Sequence, residues 1–119
     1  MALGIKRNKL DIIVSEYIRK RSNGYCERCG KYYNWKRLNA CHFHSRSRKS
    51  VRYDEDNLAA CDFGCHQYLD SHPLEKVEFF KARLGDKFDL LNARARTTAK
   101  YLDIQALMLY YKSKLEEMK

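Results

Sequence analysis

The chain has 119 residues, enough for one domain that buries roughly 65% of the surface its unfolded form exposes. Lysine and arginine number 24 against 15 acidic residues, and the formal charge of +9 favours a polyanionic partner. The start, MALGIKRNKLDIIV, carries charge where a secretory signal needs an apolar core, and the longest apolar run, Ala106 to Tyr111, is too short to span a bilayer. The five cysteines therefore point to a reducing cytoplasm and metal-bound thiolates, not to disulfides.

In chain order, Leu10, Ile13, Val14, Tyr17 and Ile18 recur at the spacing of one buried helical face. Asn8 is placed to cap that helix with Asp11 at the third position. Arg19, Lys20 and Arg21 suit its C-terminal dipole, and Ser22-Asn23-Gly24 ends it. We assign this helix core packing alone. Cys26 to Gly30 reads as a metal knuckle, whose tight geometry Gly30 tolerates. Leu38 to Phe43 is predicted to be a strand, SRSRKS (45–50) a basic loop, and Val51-Arg52-Tyr53 a short returning strand. A turn at Asp54-Glu55-Asp56 leads to Asn57, and a helix begins near Asp62. Pro73 is compatible with a helix only in its first turn, so it marks a break and restart, with Ser71 as a cap. Leu74, Val77, Phe80 and Leu84 form the next face, stopped by Gly85. A short helix follows between Asp86 and Arg96, and a last one starts near Asp103, with Ile104, Leu107, Met108, Tyr111 and Leu115 on one side. Leu109 and Tyr110 lie off that stripe, which suits packing on a partner.

The stretch from Cys41 to Asp70 concentrates the chemistry. It holds three of the four histidines and three of the cysteines, with Asn57 between His42 and His66. Cys26, Cys29, Cys61 and Cys65 form two close pairs that suit one tetrahedral structural zinc, although the second pair is Cys-x3-Cys; the alternative is buried free cysteines. A lone histidine is usually a packed or surface residue, and His72 beside Pro73 takes that reading. His42 and His44, two apart on a strand, are expected to face one cleft, with Cys41 and Phe43 on the other side. His66 follows a zinc ligand directly, and Asp70, one helical turn on, is placed to share a cation with it. Tyr32, Tyr33 and Trp35 are assigned to packing around the knuckle, in preference to stacking on bases.

His42, Asn57 and His66 at these intervals, inside two cysteine pairs, resemble the HNH (ββα-metal) endonuclease motif. The run from KLDIIVSEYIRKR through ACHFHSRSRKSVRYDEDN to the C-terminal helix is similar to the phage NinG (Rap) recombination endonucleases. The resemblance implies that His42 is the general base toward water, that Asn57 holds the loop and orients that imidazole, and that His66 ligates the catalytic cation, Mg²⁺ or Mn²⁺. Many HNH enzymes carry Asp or His immediately before the base as a further metal ligand. Here that residue is Cys41, read as a buried core residue. Asp70, or less favourably Asp54 or Asp56, is then left to complete the shell with water. His44, Arg46, Arg48, Lys49 and Arg52 are candidates for gripping phosphates, against the alternative of a solvated basic loop.

The expectation is a single α+β domain: an N-terminal helix within residues 1–24, a small HNH core with a four-cysteine zinc site over 25–72, and helices over 73–119. The expected activity is metal-dependent hydrolysis of DNA phosphodiesters in the cytoplasm of a phage-infected host. Branched recombination intermediates (Holliday junctions, flaps, D-loops) as substrates, and their preference over duplex, follow from the resemblance alone. The C-terminal helix is the expected homodimer contact. The alternatives are a non-catalytic zinc-binding module that holds nucleic acid, and a protein-interaction adaptor working through the tail helix.

Overall fold

The computed structural model describes residues 7–98 and 102–119, as a small α+β domain with five α-helices and one two-stranded antiparallel sheet. Helix α1 (Lys9–Arg21) starts as its sequence dictates. The Asn8 side chain accepts from the Asp11 N–H at 2.8 Å, and the Asp11 carboxylate accepts from the Asn8 N–H at 2.8 Å. The face of α1 carrying Leu10, Val14, Tyr17 and Ile18 is buried against the sheet and the last helix.

Beyond α1 the chain reverses through Gly24, where φ is +87° and an added Cβ would lie 2.4 Å from the Tyr33 carbonyl oxygen. Only glycine fits there. The Cys26–Gly30 knuckle follows, closed by Gly30 N–H donating to the Cys26 carbonyl and by a bridge between Tyr25 and Tyr32. Glu27 ties the knuckle to the sheet: its N–H donates to the Ala60 carbonyl, its carboxylate accepts from the Ala60 N–H at 2.6 Å, and Arg83 closes the other carboxylate oxygen at 2.6 Å.

Strand β1 (Asn39–His42) pairs with β2 (Leu58–Cys61), setting Asn39 opposite Cys61 and His42 opposite Leu58. The returning strand is therefore not Val51–Tyr53. Val51 instead closes a 3-10 turn (Lys49–Val51) and is buried with Leu91 and Ala95 of a later helix. All four residues of β2 are buried, and its two small alanines let elements pack closely around it.

Helix α2 (Phe63–Ser71) follows β2 directly, capped by the Asp62 carboxylate, which accepts from the Cys65 N–H at 2.7 Å. Pro73 opens α3 (Pro73–Leu84) at its first position, as expected, but the residue before it is His72, with no side-chain cap; the Ser71 hydroxyl bonds back to Gln67 and Tyr68 carbonyls. Gly85, with φ +57°, ends α3, and α4 (Lys87–Arg96) turns back to cover the long loop between the strands. Helix α5 (Ile104–Glu117), capped by Asp103, lies along α1, with Tyr111 buried and its ring 5.6 Å from Tyr17. Among the described residues, no helix is long and apolar enough to cross a membrane.

Candidate metal centre and basic cleft

Among the described residues, two groups of metal-capable side chains flank the β1–β2–α2 unit. In the first, ligand atoms of Cys26, Cys29, Asp62 and Cys65 all lie within 4.8 Å of one another. Cys26 and Cys29 come from the knuckle, Asp62 is the N-cap of α2, and Cys65 sits in that helix's first turn. Cys61 is not in the group. As the last residue of β2 it is fully buried, and burial pushes its thiol well up, beyond the usual range. The expected four-cysteine set is thus corrected to three cysteines and Asp62, because the chain leaves the strand at Cys61 and presents the next side chain to the knuckle.

The sulfurs hold their protons unevenly: burial pushes the Cys65 thiol up to about 12, and at Cys29 the Lys31 N–H is outweighed by the bond to Asp62 together with burial, which raise it too. Burial raises the Cys26 pKa, but the backbone N–H groups of Cys29, Asp62 and Arg28 aimed at its sulfur prevail and lower it. Burial also opposes ionisation of Asp62, yet the Cys65 N–H and the neighbouring thiols hold its pKa at about 2. Cys29 donates to Asp62 Oδ2 at 3.1 Å, and Arg28 Nη1 lies 3.4 Å from the Cys65 sulfur. Three sulfurs and a carboxylate at these separations could hold one metal ion, which would replace the thiol protons.

The second group joins Cys41 of β1 to His66 and Asp70 of α2, again with ligand atoms within 4.8 Å of one another. His66 Nε2 is 3.3 Å from Asp70 Oδ2, and Lys76 Nζ of α3 holds the other carboxylate oxygen at 2.8 Å. The i, i+4 spacing makes the His66–Asp70 pair legible in sequence. Cys41 was not: it is buried, as expected of a core residue, but its sulfur lies within 4.8 Å of the His66 and Asp70 donor atoms on α2.

His66, Asp70 and His42 line one open cleft of about 490 Å³. The His42 imidazole is largely enclosed. Burial first, and the Arg46 cation second, push its pKa down to about 4, while Asp11 and a hydrogen bond to the Arg52 carbonyl act the other way. It is neutral at pH 7.

Asn57 is fully buried and staples the loop: Oδ1 accepts from the His44 N–H at 2.8 Å, and Nδ2 donates to the carbonyls of His44 at 3.0 Å and Val51 at 3.2 Å. It makes no direct bond to His42. Its bonds hold the loop between the strands, not the ring.

His44 does not share the cleft. The strand ends at His42, so the alternation stops there, and the His44 ring turns to Asn92 of α4, with Nε2 and Oδ1 2.8 Å apart. Asp54 and Asp56 are also removed from the cation site, both paired with Arg94. Of the basic loop, Arg46 and Arg52 line the cleft; Arg48 and Lys49 are exposed outside it, and Arg48 reaches the Ala95 carbonyl. Arg52 meets Asp11 at 2.6 and 3.1 Å. Sequence reading missed Arg7, Asp11, Arg19 and Lys76, all of which line the same cleft. Helix α1 is therefore more than core. Nor are Tyr32 and Trp35 core: Tyr32 is 67% exposed, and the Arg19 and Lys20 cations lie 4.9 and 4.6 Å from the Trp35 ring centre. Tyr33 does pack against the core, and His72 stays at the surface, stacked on Tyr68.

Comparison with protein-family models, with curated proteins and with solved structures finds no match. By its fold and its centres the chain is a small α+β domain carrying a sulfur-rich cluster able to hold a metal ion.

Proposed function

We propose that the protein is a metal-dependent DNA endonuclease of the HNH type, with β1, β2 and α2 as its ββα-metal core. The observation that carries this reading is the cleft itself. It sets a neutral, enclosed imidazole, His42, beside a His66–Asp70 pair, under a rim of Arg7, Arg19, Arg46 and Lys76. The rim cations attract a phosphate backbone and hold it without reading bases. A ring nitrogen of the neutral His42 accepts a proton from water as that water attacks phosphorus. Asn57, through its three bonds to His44 and Val51, holds the loop that brings Arg46 and Arg52 into the cleft. A divalent cation on His66 and Asp70 would offset the charge building on the phosphate and the departing oxygen.

In this reading the Cys26, Cys29, Asp62, Cys65 cluster holds a structural zinc that clamps the knuckle to the head of α2. A closed shell of four protein ligands leaves no position for catalysis. Branched recombination intermediates are the proposed substrates, with α5 pairing two copies so that two clefts act on two strands. The 71% exposed Leu109 on α5 supports that pairing.

Nicking of supercoiled plasmid with Mg²⁺ or Mn²⁺, by the unsubstituted chain and by His42→Ala, tests the enzyme. Nicking lost with His42 and DNA binding retained supports the proposal. Salt-sensitive DNA binding by the unsubstituted chain, with no nicking under any cation, would replace it with a non-catalytic binding module.

A further inference from the structure

We propose that Cys41 is the third protein ligand of the cleft's cation, so that the site selects a thiophilic transition ion of the Zn²⁺ or Co²⁺ kind over Mg²⁺. The metal site stands on geometry; calling its ion catalytic rests on the endonuclease reading above.

Three donors of different chemistry converge there: the Cys41 sulfur from β1, and the His66 nitrogen and Asp70 oxygen one turn apart on α2. Bonds of about 2.0–2.1 Å at the tetrahedral angle put a nitrogen and an oxygen ligand about 3.4 Å apart. His66 Nε2 and Asp70 Oδ2 are 3.3 Å apart, so that pair already has the spacing a shared ion demands. Lys76 holds Oδ1 of Asp70 at 2.8 Å, which leaves Asp70 one oxygen to give and makes the set one sulfur, one nitrogen and one oxygen. The sulfur, within 4.8 Å of both, closes on the ion with a shift of about 1 Å, since a zinc–sulfur bond is about 2.3 Å. Across the sheet Cys41 faces Ala59, which brings no competing donor.

The donor set decides the ion. Mg²⁺ demands a near-octahedral shell of oxygens, much of it water, and gains little from sulfur. Thiolate and imidazole together favour zinc and its borderline neighbours. Three protein ligands with a fourth position open to the cleft is also the pattern of catalytic zinc sites, whereas the Cys26, Cys29, Asp62, Cys65 cluster has no open position. One small domain would thus hold two transition ions with different duties.

The test loads the full chain with zinc at the sulfur-rich cluster and then titrates Co²⁺. The expected result is one further equivalent bound, with a sulfur-to-cobalt charge-transfer band in the near ultraviolet. Cys41→Ser should abolish that band and weaken Co²⁺ binding at least about 100-fold, the upper end of what changes outside the ligand shell cost. Should Cys41→Ser not fold, X-ray absorption at the cobalt edge of the unsubstituted chain decides. One sulfur at about 2.3 Å beside nitrogen and oxygen supports the proposal, and a shell of nitrogen and oxygen alone overturns it. Failure of Co²⁺ to bind beyond the zinc-filled cluster also overturns it. Cleavage supported by Mg²⁺ with no sulfur ligand would sink this inference and spare the endonuclease; a sulfur-ligated ion with no cleavage under any metal would do the reverse.

Discussion

Asn57→Ala tests whether the loop between the strands is held by one buried amide. That side chain is fully buried and makes three bonds, accepting from the His44 N–H and donating to the His44 and Val51 carbonyls. A net hydrogen bond contributes about 1 kcal/mol, but three backbone groups stranded beside a cavity cost about 1–3 kcal/mol each unless water reaches them. The loop's outer side is partly exposed, so we expect some rehydration and a loss of about 3–4 kcal/mol. That is a large share of the roughly 5–15 kcal/mol available to a domain. Asn57→Asp is the sharper variant. It keeps the acceptor for the His44 N–H but turns a carboxylate oxygen toward two carbonyls, so it should be at least as damaging as alanine. Urea unfolding followed by helical circular dichroism measures the loss, and hydrogen exchange at the His44 amide locates it. In conditions where the variant stays folded, nicking should fall far more than DNA affinity, because the loop that follows His42 is no longer held. A loss below about 1 kcal/mol with the His44 amide still protected would refute the reasoning.

His42→Ala should cut nicking about 10²–10⁴-fold with fold and DNA affinity nearly intact, while His66→Ala should also lose its response to added cation; full activity in His42→Ala ends the proposed mechanism. Removing the structural metal with a chelator, or introducing Cys29→Ser, should cost helical signal as well as activity, since such sites contribute on the order of 10 kcal/mol to folding. Metal analysis finding no zinc in a chain that still melts cooperatively would reject that site. The Arg52 guanidinium and the Asn8 N–H overcome burial and hold Asp11 below its usual carboxylate pKa, so its contribution to stability is complete above about pH 4 and is lost as pH falls further. Asp11→Asn should therefore cost about 3 kcal/mol at pH 7 and flatten the acid limb of a stability–pH curve; an unchanged acid limb would show that the pair is not responsible. On DNA, cleavage should weaken steeply with salt for every substrate and favour a four-way junction over flap and duplex at matched salt, with two copies bound. Equal rates would leave a nonspecific nuclease, and a monomer on the junction would remove the paired clefts.

Residue spacing along the chain was enough to place the helices and the His66–Asp70 pair, but not every helical face: of the expected α3 stripe Phe80 is buried, while Leu74 and Val77 are exposed. The Asn8–Asp11 capping box, Asp62 ahead of α2, Pro73 opening α3 and the Tyr111 stripe of α5 act within one or two turns of backbone, so spacing alone reveals them. The His66–Asp70 pair is of the same kind, one turn apart on one helix. The rest was settled by packing between elements. The return strand lies at Leu58–Cys61 because those four residues bury on every side, whereas Val51 found its partners, Leu91 and Ala95, far along the chain. Asp62 displaces Cys61 from the sulfur cluster because the strand ends between them, and spacing counts residues without fixing where a chain turns. The same limit hid the turning of His44 toward Asn92, just beyond the point where strand alternation still held for a neighbour. Cys41 joins His66 and Asp70, and Arg7, Arg19 and Lys76 join His42, across long stretches of intervening chain. No local periodicity spans such gaps; they close only when α1 and α2 pack on the sheet and α3 packs on α2.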